Sequence, residues 1–516
     1  METVEVITGY GRVRGTRSAG VCMFRGVPYA AAPVGPLRFL APAPPRPWDG
    51  VFDATAAGTA CPQSVGAATQ EVNGFARLFG PGDLLTDEDC LNLNVFAPDD
   101  AEPGNAKPVM VWIHGGAFRI GTGGSPLYDG TRLARRGGVV VVTINYRLGV
   151  LGFLNLPEVG PANVGLRDQI AALRWVQEEI ASFGGDPTNV TIFGESAGAK
   201  SVECLVASPH ARGLFGRAIL QSTYDPPMDP AAAATTAREL LAAVGVRDEP
   251  TGSVDVEALR SLPVDTMLDE MTRQAMGTMA SGGGLGGALS GWSPVVDGDV
   301  LPVEPHAALA AGGAVDVHLV IGTTRDEAAL FAAMVPMLRA IEDAALPTMV
   351  GMLVGNSDDA ATLIELYRSS RGPAATPGDI LVAAMTDRMF RQHSIRLADA
   401  ASAAGTPTWM YLFDWCGTGL DGESLGACHA LEVPFVFDTL GTPLGRIAGA
   451  GPDAEALVDT MQDAWSRFAR EGNPSTESIG WPQFDTARRA TAVFGPRVEV
   501  RDAPLDAERL AWTGRM

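Results

Sequence analysis

The first residue with chemistry written into its surroundings is a serine. The segment 189–206, NVTIFGESAGAKSVECLV, reads as a strand, a tight turn and a helix, with Gly194, Glu195, Ser196, Ala197 and Gly198 forming G-x-S-x-G at the turn. A sharp strand-to-helix turn forces strained backbone angles on the serine, small neighbours permit it, and the hydroxyl is presented at a helix N-terminus, where negative charge is stabilised. A serine at that place could also simply cap the helix. The strand before it and the helix after it favour a nucleophile.

An acyl-transfer enzyme also needs preorganised donors for an oxyanion. Segment 109–121, VMVWIHGGAFRIG, supplies a strand that ends in His114, Gly115, Gly116, Ala117 and Phe118. Glycine lets the backbone approach a substrate closely, and an HGG run upstream of a serine elbow is the pairing expected of this arrangement.

A serine hydroxyl further needs a base, and the base needs a third group that holds its tautomer. In the order serine, acid, histidine, His114 and His210 lie too early, while His306 and His318 precede or fall within the strand 317–322. His393 lies in a stretch of helical apolar spacing, TDRMFRQHSIRLADAA, and reads as a helix-surface residue. His429, in the irregular stretch GACHALEVPFVF, stands where a catalytic loop belongs. For the acid, VHLVIG ends in TTRDEAALF, so Asp326 and Glu327 both sit at the carboxyl end of a strand, where sites of open α/β sheets form. Spacing does not separate them, and either could instead be a carboxylate at a helix N-terminus.

The elements that must position these residues follow two patterns. Short β-type runs, 4–6, 21–24 and 91–96, separated by Gly and Pro, fill the first hundred residues and predict an antiparallel start. Apolar strands then alternate with helices: 109–113, 139–145, a helix over 166–183, 190–193, and later strands at 218–221, 317–322 and 408–413. That alternation is how a mostly parallel sheet with crossover helices is written. The expected fold is therefore α/β, a large mostly parallel central sheet with flanking helices and an antiparallel N-terminal portion, over residues 1–516 as one domain. The stretch 276–291, MGTMASGGGLGGALSG, is too glycine-rich for a regular element and reads as a mobile loop near the site rather than an interdomain linker.

Composition excludes several classes. A formal charge of −22 and a pI near 4.7 oppose binding to phosphate backbones and anionic lipid, so no nucleic-acid partner is expected. No window offers about 18 uninterrupted apolar residues and no basic segment followed by an apolar one opens the chain, so no membrane partner and a cytoplasmic location are expected. The six cysteines, Cys22, Cys61, Cys90, Cys204, Cys416 and Cys428, lack the spacing and histidine partners of a zinc site and read mostly as small buried thiols. No metal and no cofactor are called for.

Taken together these segments resemble the type B carboxylesterases, the α/β-hydrolase family that includes bacterial para-nitrobenzyl esterases and the cholinesterases. The signature around the nucleophile is matched through FGGDPTNVTIFGESAG, 183–198, and a second appears as EDCLNLNVFAP, 88–98, departing at Asn92. The likeness continues through FRGVPYAAAPVGPLRF, NYRLGVLGF, VVDGDVLP and WSRFAREGNP, nearly the whole chain. The resemblance implies Ser196 as nucleophile, Glu327 as acid, His429 as base, and the backbone N–H groups of Gly116, Ala117 and Ala197 as oxyanion donors. Ala117 and Ala328 stand where glycine is common in the family. It also implies a Cys61–Cys90 disulfide and a buried ion network of Arg147 with Glu88 and Asp168. The implied activity is hydrolysis of uncharged carboxylic esters, with a small-molecule ester and water as partners. Carbamates, amides and polyesters are open to the same machinery, and a catalytically silent binding protein is the reading from another class. The loop from Cys61 to Cys90 carries Phe75 and Phe79 but no tryptophan, and Ala288 and Ser290 precede Trp292, so neutral esters with medium acyl chains are expected over choline esters.

Overall fold

Strands apolar along most of their length are buried on both faces, and those with alternating character face water on one side. Both kinds occur in the computed structural model, which describes residues 2–64, 78–101, 106–224, 227–247, 252–280, 291–417, 419 and 424–515. The chain divides into two compact units, 1–219 with 226–308 and 469–472, and 220–225 with 309–468 and 473–516.

In the first unit β1 (Glu2–Thr8), β2 (Gly11–Ser18) and β3 (Val21–Pro28) form an antiparallel meander, with β4 (Val51–Asp53) beside β2. β5 (Asn92–Pro98) runs antiparallel to β3 and to β7 (Val140–Ile144). From β7 the pairing turns parallel, to β6 (Lys107–Ile113) and then β8 (Gly185–Glu195). β5 and β7 are buried at every residue, whereas β1 is largely exposed. The helix Val164–Glu179 buries one apolar face, and the Asn163 amide fixes its start by pairing with both backbone groups of Val295, at 2.8 and 2.9 Å.

β9 (Arg217–Gln221) carries the chain from one unit into the other. In the second unit β10 (His318–Thr324), β11 (Thr408–Phe413) and β12 (Ala490–Phe494) are parallel, and β13 (Val498–Asp502) closes antiparallel. Helices Leu346–Val354, Ser357–Arg371 and Pro377–Thr386 pack around Leu346, Val350, Leu363, Ile380 and Trp512. The sequence Thr-Pro-Gly-Asp starts the last of them with a full capping box, Thr376 and Asp379 satisfying each other's backbone N–H groups, and with Pro377 in the first turn. That helix does not stop where its α-hydrogen bonding does. Residues Asp387–Arg391 form one π-helical turn, and α-helix resumes over Gln392–Ala403.

Four sequence expectations change. Met276–Ala280 are helical, the end of the helix Val264–Ala280, with open space around Gly277 and the Thr278 hydroxyl donating to the Gln274 carbonyl at 3.0 Å; residues 281–290, including Ala288 and Ser290, and Phe75 lie outside the described residues. Cys61 and Cys90 are free buried thiols in hydrogen-bonding contact with each other, with the Leu148 N–H donating to Cys61 Sγ at 3.3 Å. Arg147 does grip Asp168 through two side-chain bonds of 2.7 and 2.8 Å, but Glu88 pairs instead with Arg38, which is the guanidinium within its reach. His393 is on a helix as expected, yet buried, since this helix is covered on that face.

Candidate active site

The parallel pairing of β6 with β8 sets Ile113 opposite Gly194, so the turn after each strand emerges at the same end of the first unit's sheet. The turn after β8 holds Ser196 at φ 57° and ψ −120°, immediately before the helix Ala197–Ala207. A non-glycine residue in that region costs about 1–3 kcal/mol and persists only where the surroundings enforce it. They do here: a Cβ on Gly198 would lie 2.0 Å from the Ile113 carbonyl oxygen, so only glycine lets the helix come this close to β6. Ser196 occupies the N-cap position but makes no capping hydrogen bond, which removes the structural alternative for it. It is 7% exposed.

The turn after β6 passes directly over the elbow. A Cβ on Gly115 would stand 2.8 Å from the Glu195 carbonyl oxygen and 3.2 Å from Ser196 Cβ. Gly116, Ala117 and Phe118 then follow with φ of 107°, 55° and 57°, backbone that non-glycine residues rarely adopt. Ala197, the third expected donor, is the first residue of the helix.

Neighbours the sequence does not single out keep this loop in shape. The Gln63 amide accepts from the Gly121 N–H at 2.8 Å and donates to the Gly121 and Cys61 carbonyls at 2.9 Å each. The Phe118 carbonyl accepts from Gly149 N–H at 2.7 Å, and the Phe118 ring meets Phe153 edge-on. His114 is wholly buried and stacks on Tyr146 with ring centroids 4.5 Å apart, while its Nδ1 donates to the Gly115 carbonyl at 2.8 Å. Burial pushes its pKa down to about 4 despite that bond, so it is a neutral structural ring.

In the second unit the strand β10 ends at Thr324, and Asp326 and Glu327 follow. Their side chains part company. Glu327 Oε2 meets His429 Nδ1 at 2.6 Å, and Oε1 accepts from Ser222 Oγ at 2.6 Å and from the Thr324 N–H at 2.7 Å. Glu327 is at the N-cap position of the helix Ala328–Met334 but makes no capping bond, its oxygens being committed elsewhere. Asp326 accepts from Arg325 at 2.8 and 2.9 Å, from Arg371 at 2.7 Å and from the Ala427 N–H at 3.2 Å. Burial works to raise the Asp326 pKa, but the two guanidiniums outweigh it and hold the carboxyl below its ordinary value. It therefore locks the loop carrying His429, and it is Glu327 that touches the ring.

The His429 backbone N–H also donates to the Glu327 carbonyl at 3.3 Å, and the imidazole lies against Phe331 and Phe390, centroids 5.1 and 4.8 Å away. Phe331 sits one helical turn beyond Glu327, a spacing visible in TTRDEAALF. Ser222 and Phe390 carry no such signal, since both reach Glu327 and His429 from segments distant in sequence. Among the described residues no group of three or more His, Cys, Asp or Glu could hold a metal ion, and no helix is long and apolar enough to cross a membrane.

A strained serine turn between a parallel strand and a helix, an HGG loop above it, and a Glu–His pair at the ends of later strands define an α/β-hydrolase. The chain belongs to the carboxylesterase family, whose profile matches residues 2–510. It is 40% identical to the para-nitrobenzyl esterase of Bacillus subtilis over 98% of this chain and 97% of that protein, and 36% identical to the phenmedipham hydrolase of Pseudarthrobacter oxydans over 95% and 94%. A solved carboxylesterase of Geobacillus stearothermophilus matches with a TM-score of 0.83 and 39% identity, over 98% of this chain and 99% of that one. The protein is a serine carboxylesterase, a carboxylic ester hydrolase.

Proposed function

We propose that the protein hydrolyses uncharged carboxylic esters through an acyl-enzyme on Ser196, with His429 as general base and acid, Glu327 as the carboxylate that orients it, and the N–H groups of Gly116, Ala117 and Ala197 as the oxyanion hole. The observation that carries the reading is the backbone of Ser196, held in a strained left-handed conformation with no capping role. Strain of that kind is retained where it presents a reacting group.

Ser196 Oγ attacks the ester carbonyl carbon while His429 Nε2 takes its proton. The carbonyl π electrons move to oxygen, and the three N–H groups stabilise the resulting charge. Collapse expels the alcohol, which takes the proton back from His429. Water then repeats the sequence on the acyl-enzyme, returning Ser196 and releasing the acid. Throughout, Glu327 at 2.6 Å keeps the Nδ1–H tautomer, in which Nε2 is the accepting nitrogen, and stabilises the imidazolium that forms.

Preference for uncharged esters rests on the loop between Cys61 and Cys90, which has no tryptophan to face a quaternary ammonium, and whose Phe79 is buried. The test is an organophosphonate titration followed by peptide mapping, alongside Ser196→Ala. The reading expects one adduct per chain on Ser196 and loss of about 10⁴-fold or more in kcat in the alanine variant. An adduct on another residue, or a tenth of the activity retained in a folded Ser196→Ala, would overturn it.

A further inference from the structure

We infer that Phe390, carried by the π-helical turn Asp387–Arg391, is a positioning residue for His429: its ring forms one wall that holds the imidazole in the plane set by Glu327. The inference rests on the reading of His429 as the general base and adds a residue that reading does not contain.

The turn is an interruption of a helix that otherwise runs from Pro377 to Ala403. A π-turn inserts one residue, which turns everything beyond it by about 100° around the axis relative to an unbroken α-helix. Such turns give up good hydrogen-bond geometry, and they survive mostly where the displaced side chain has a task. Here the displaced segment brings Phe390, only 3% exposed, to 4.8 Å from the His429 ring at a 41° tilt. Phe331 lies on the same imidazole at 5.1 Å, and the two phenyl rings are parallel to within 4° with centroids 6.0 Å apart. Tyr224 meets Phe390 edge-on from the segment that also supplies Ser222.

A glutamate bond at Nδ1 fixes one point of a five-membered ring; it does not stop the ring from rocking about that point. Flat walls do. Phe331 alone would leave one wall, because it belongs to the same short helix start as Glu327 and moves with it. Phe390 comes from a separate element and constrains the ring independently.

The turn is anchored more firmly than packing alone would require. Asp387 accepts a hydrogen bond from the Tyr367 hydroxyl and a 2.9 Å bond from Arg391 Nη1, which also reaches Glu508 at 3.1 Å. Trp512 donates to the Tyr367 hydroxyl at 2.7 Å, and Ser370 to Glu508 at 2.8 Å. Asp387 is wholly buried, and Arg391 and Glu508 are 4% and 1% exposed. A buried charge network is weak evidence for net stability, and setting the register of the elements that carry it is its best-attested use. Arg391 Nη2 also donates to the Arg325 carbonyl, tying the turn to the loop that holds Glu327. The network thus fixes the height at which Phe390 meets His429.

The experiment compares wild type with Phe390→Leu, Phe390→Met and His429→Ala. Three readouts are taken: kcat and KM on a neutral ester, thermal stability, and the proton spectrum of the short His429 Nδ1–H···Glu327 bond. We expect that strongly deshielded proton in wild type, its disappearance in His429→Ala, and its exchange-broadening in both Phe390 variants. We expect kcat in those variants to fall by about 10- to 100-fold with KM changed less than about threefold, since a mispositioned base weakens the transition state and not substrate binding. The methionine variant loses about as much volume as the leucine one, but its unbranched flexible chain adapts to an irregular gap, so it keeps the comparison valid if Phe390→Leu folds poorly. An unchanged proton signal together with kcat within twofold in Phe390→Met, while His429→Ala is inactive, overturns the positioning role and leaves the base assignment standing. An active His429→Ala overturns both.

Discussion

Replacing Glu327 by glutamine removes one charge and one oxygen, and the structure says which way the amide will point. The Thr324 N–H and the Ser222 hydroxyl both converge on Oε1, at 2.7 and 2.6 Å, and the backbone N–H can only donate. The amide oxygen must therefore take that place, and the amide nitrogen must face His429 Nδ1. A donor there forces Nδ1 to accept, so the ring proton moves to Nε2, the atom that should receive the Ser196 proton. Losing a buried charge-assisted hydrogen bond alone costs about 1.5–3 kcal/mol, or roughly 10- to 150-fold in rate. The wrong tautomer and the lost stabilisation of imidazolium take the total to about 10⁴-fold, close to 5 kcal/mol. Asp326→Asn should behave differently. It keeps an acceptor for the Ala427 N–H but weakens the pairing with Arg325 and Arg371, so the expected cost is about 1–3 kcal/mol of stability with kcat within about tenfold of wild type. Steady-state kinetics on a chromogenic butyrate ester and urea melts of both variants check this. A Glu327→Gln enzyme within tenfold of wild type beside a crippled Asp326→Asn would refute the assignment.

Three further outcomes follow from single residues. His114, with a folded pKa of about 4 against 6.5 unfolded, binds fewer protons folded than unfolded between those values, so its contribution is complete above pH 6.5 and is lost as pH falls towards 4, by about 3 kcal/mol. Urea melts from pH 7.5 to 4.5 should show that slope and His114→Asn should flatten it; an equal slope in the variant counts against the buried neutral ring. Gln63→Leu strips both bonds from Gly121 next to the expected oxyanion loop, and should cost about 1–3 kcal/mol in stability and lower kcat more than it changes KM; a variant unchanged in both would show that the loop holds itself. Butyrylcholine should be hydrolysed no better than a neutral butyrate of matched leaving-group pKa, since the missing tryptophan face is a loss of about 0.5–2 kcal/mol in cation recognition. A higher kcat/KM for the choline ester would remove that argument.

How far the sequence reaches can be read from these same residues. Ser196 and the HGG loop were legible because their chemistry is local: a strand, a turn and a helix within twenty residues require small residues at fixed offsets, and the structure shows why, in the contact Gly198 makes with Ile113. The strands were legible for a related reason, since burial on both faces demands unbroken apolar runs such as those of β6 and β7. His429 was singled out by elimination, and spacing narrowed its carboxylate partner only to Asp326 or Glu327, the resemblance favouring Glu327, because two adjacent carboxylates at a strand end have the same local pattern. Their difference is made by Arg325, Arg371 and Ala427 on one side and by Ser222, Thr324 and His429 on the other, four of which lie more than forty residues away in the chain. The helix end at Ala280, the burial of His393 and the partner of Glu88 escaped for a like reason: what covers a residue is not written beside it. The π-turn left no trace either, since it is enforced by Tyr367, Glu508 and Trp512 from other helices. Local backbone chemistry is encoded by neighbours in sequence, and the sequence alone therefore determines where the strained serine turn is and what flanks it. Which carboxylate meets the histidine, and which rings lie against it, are settled by packing between distant segments, and only the tertiary structure decides them.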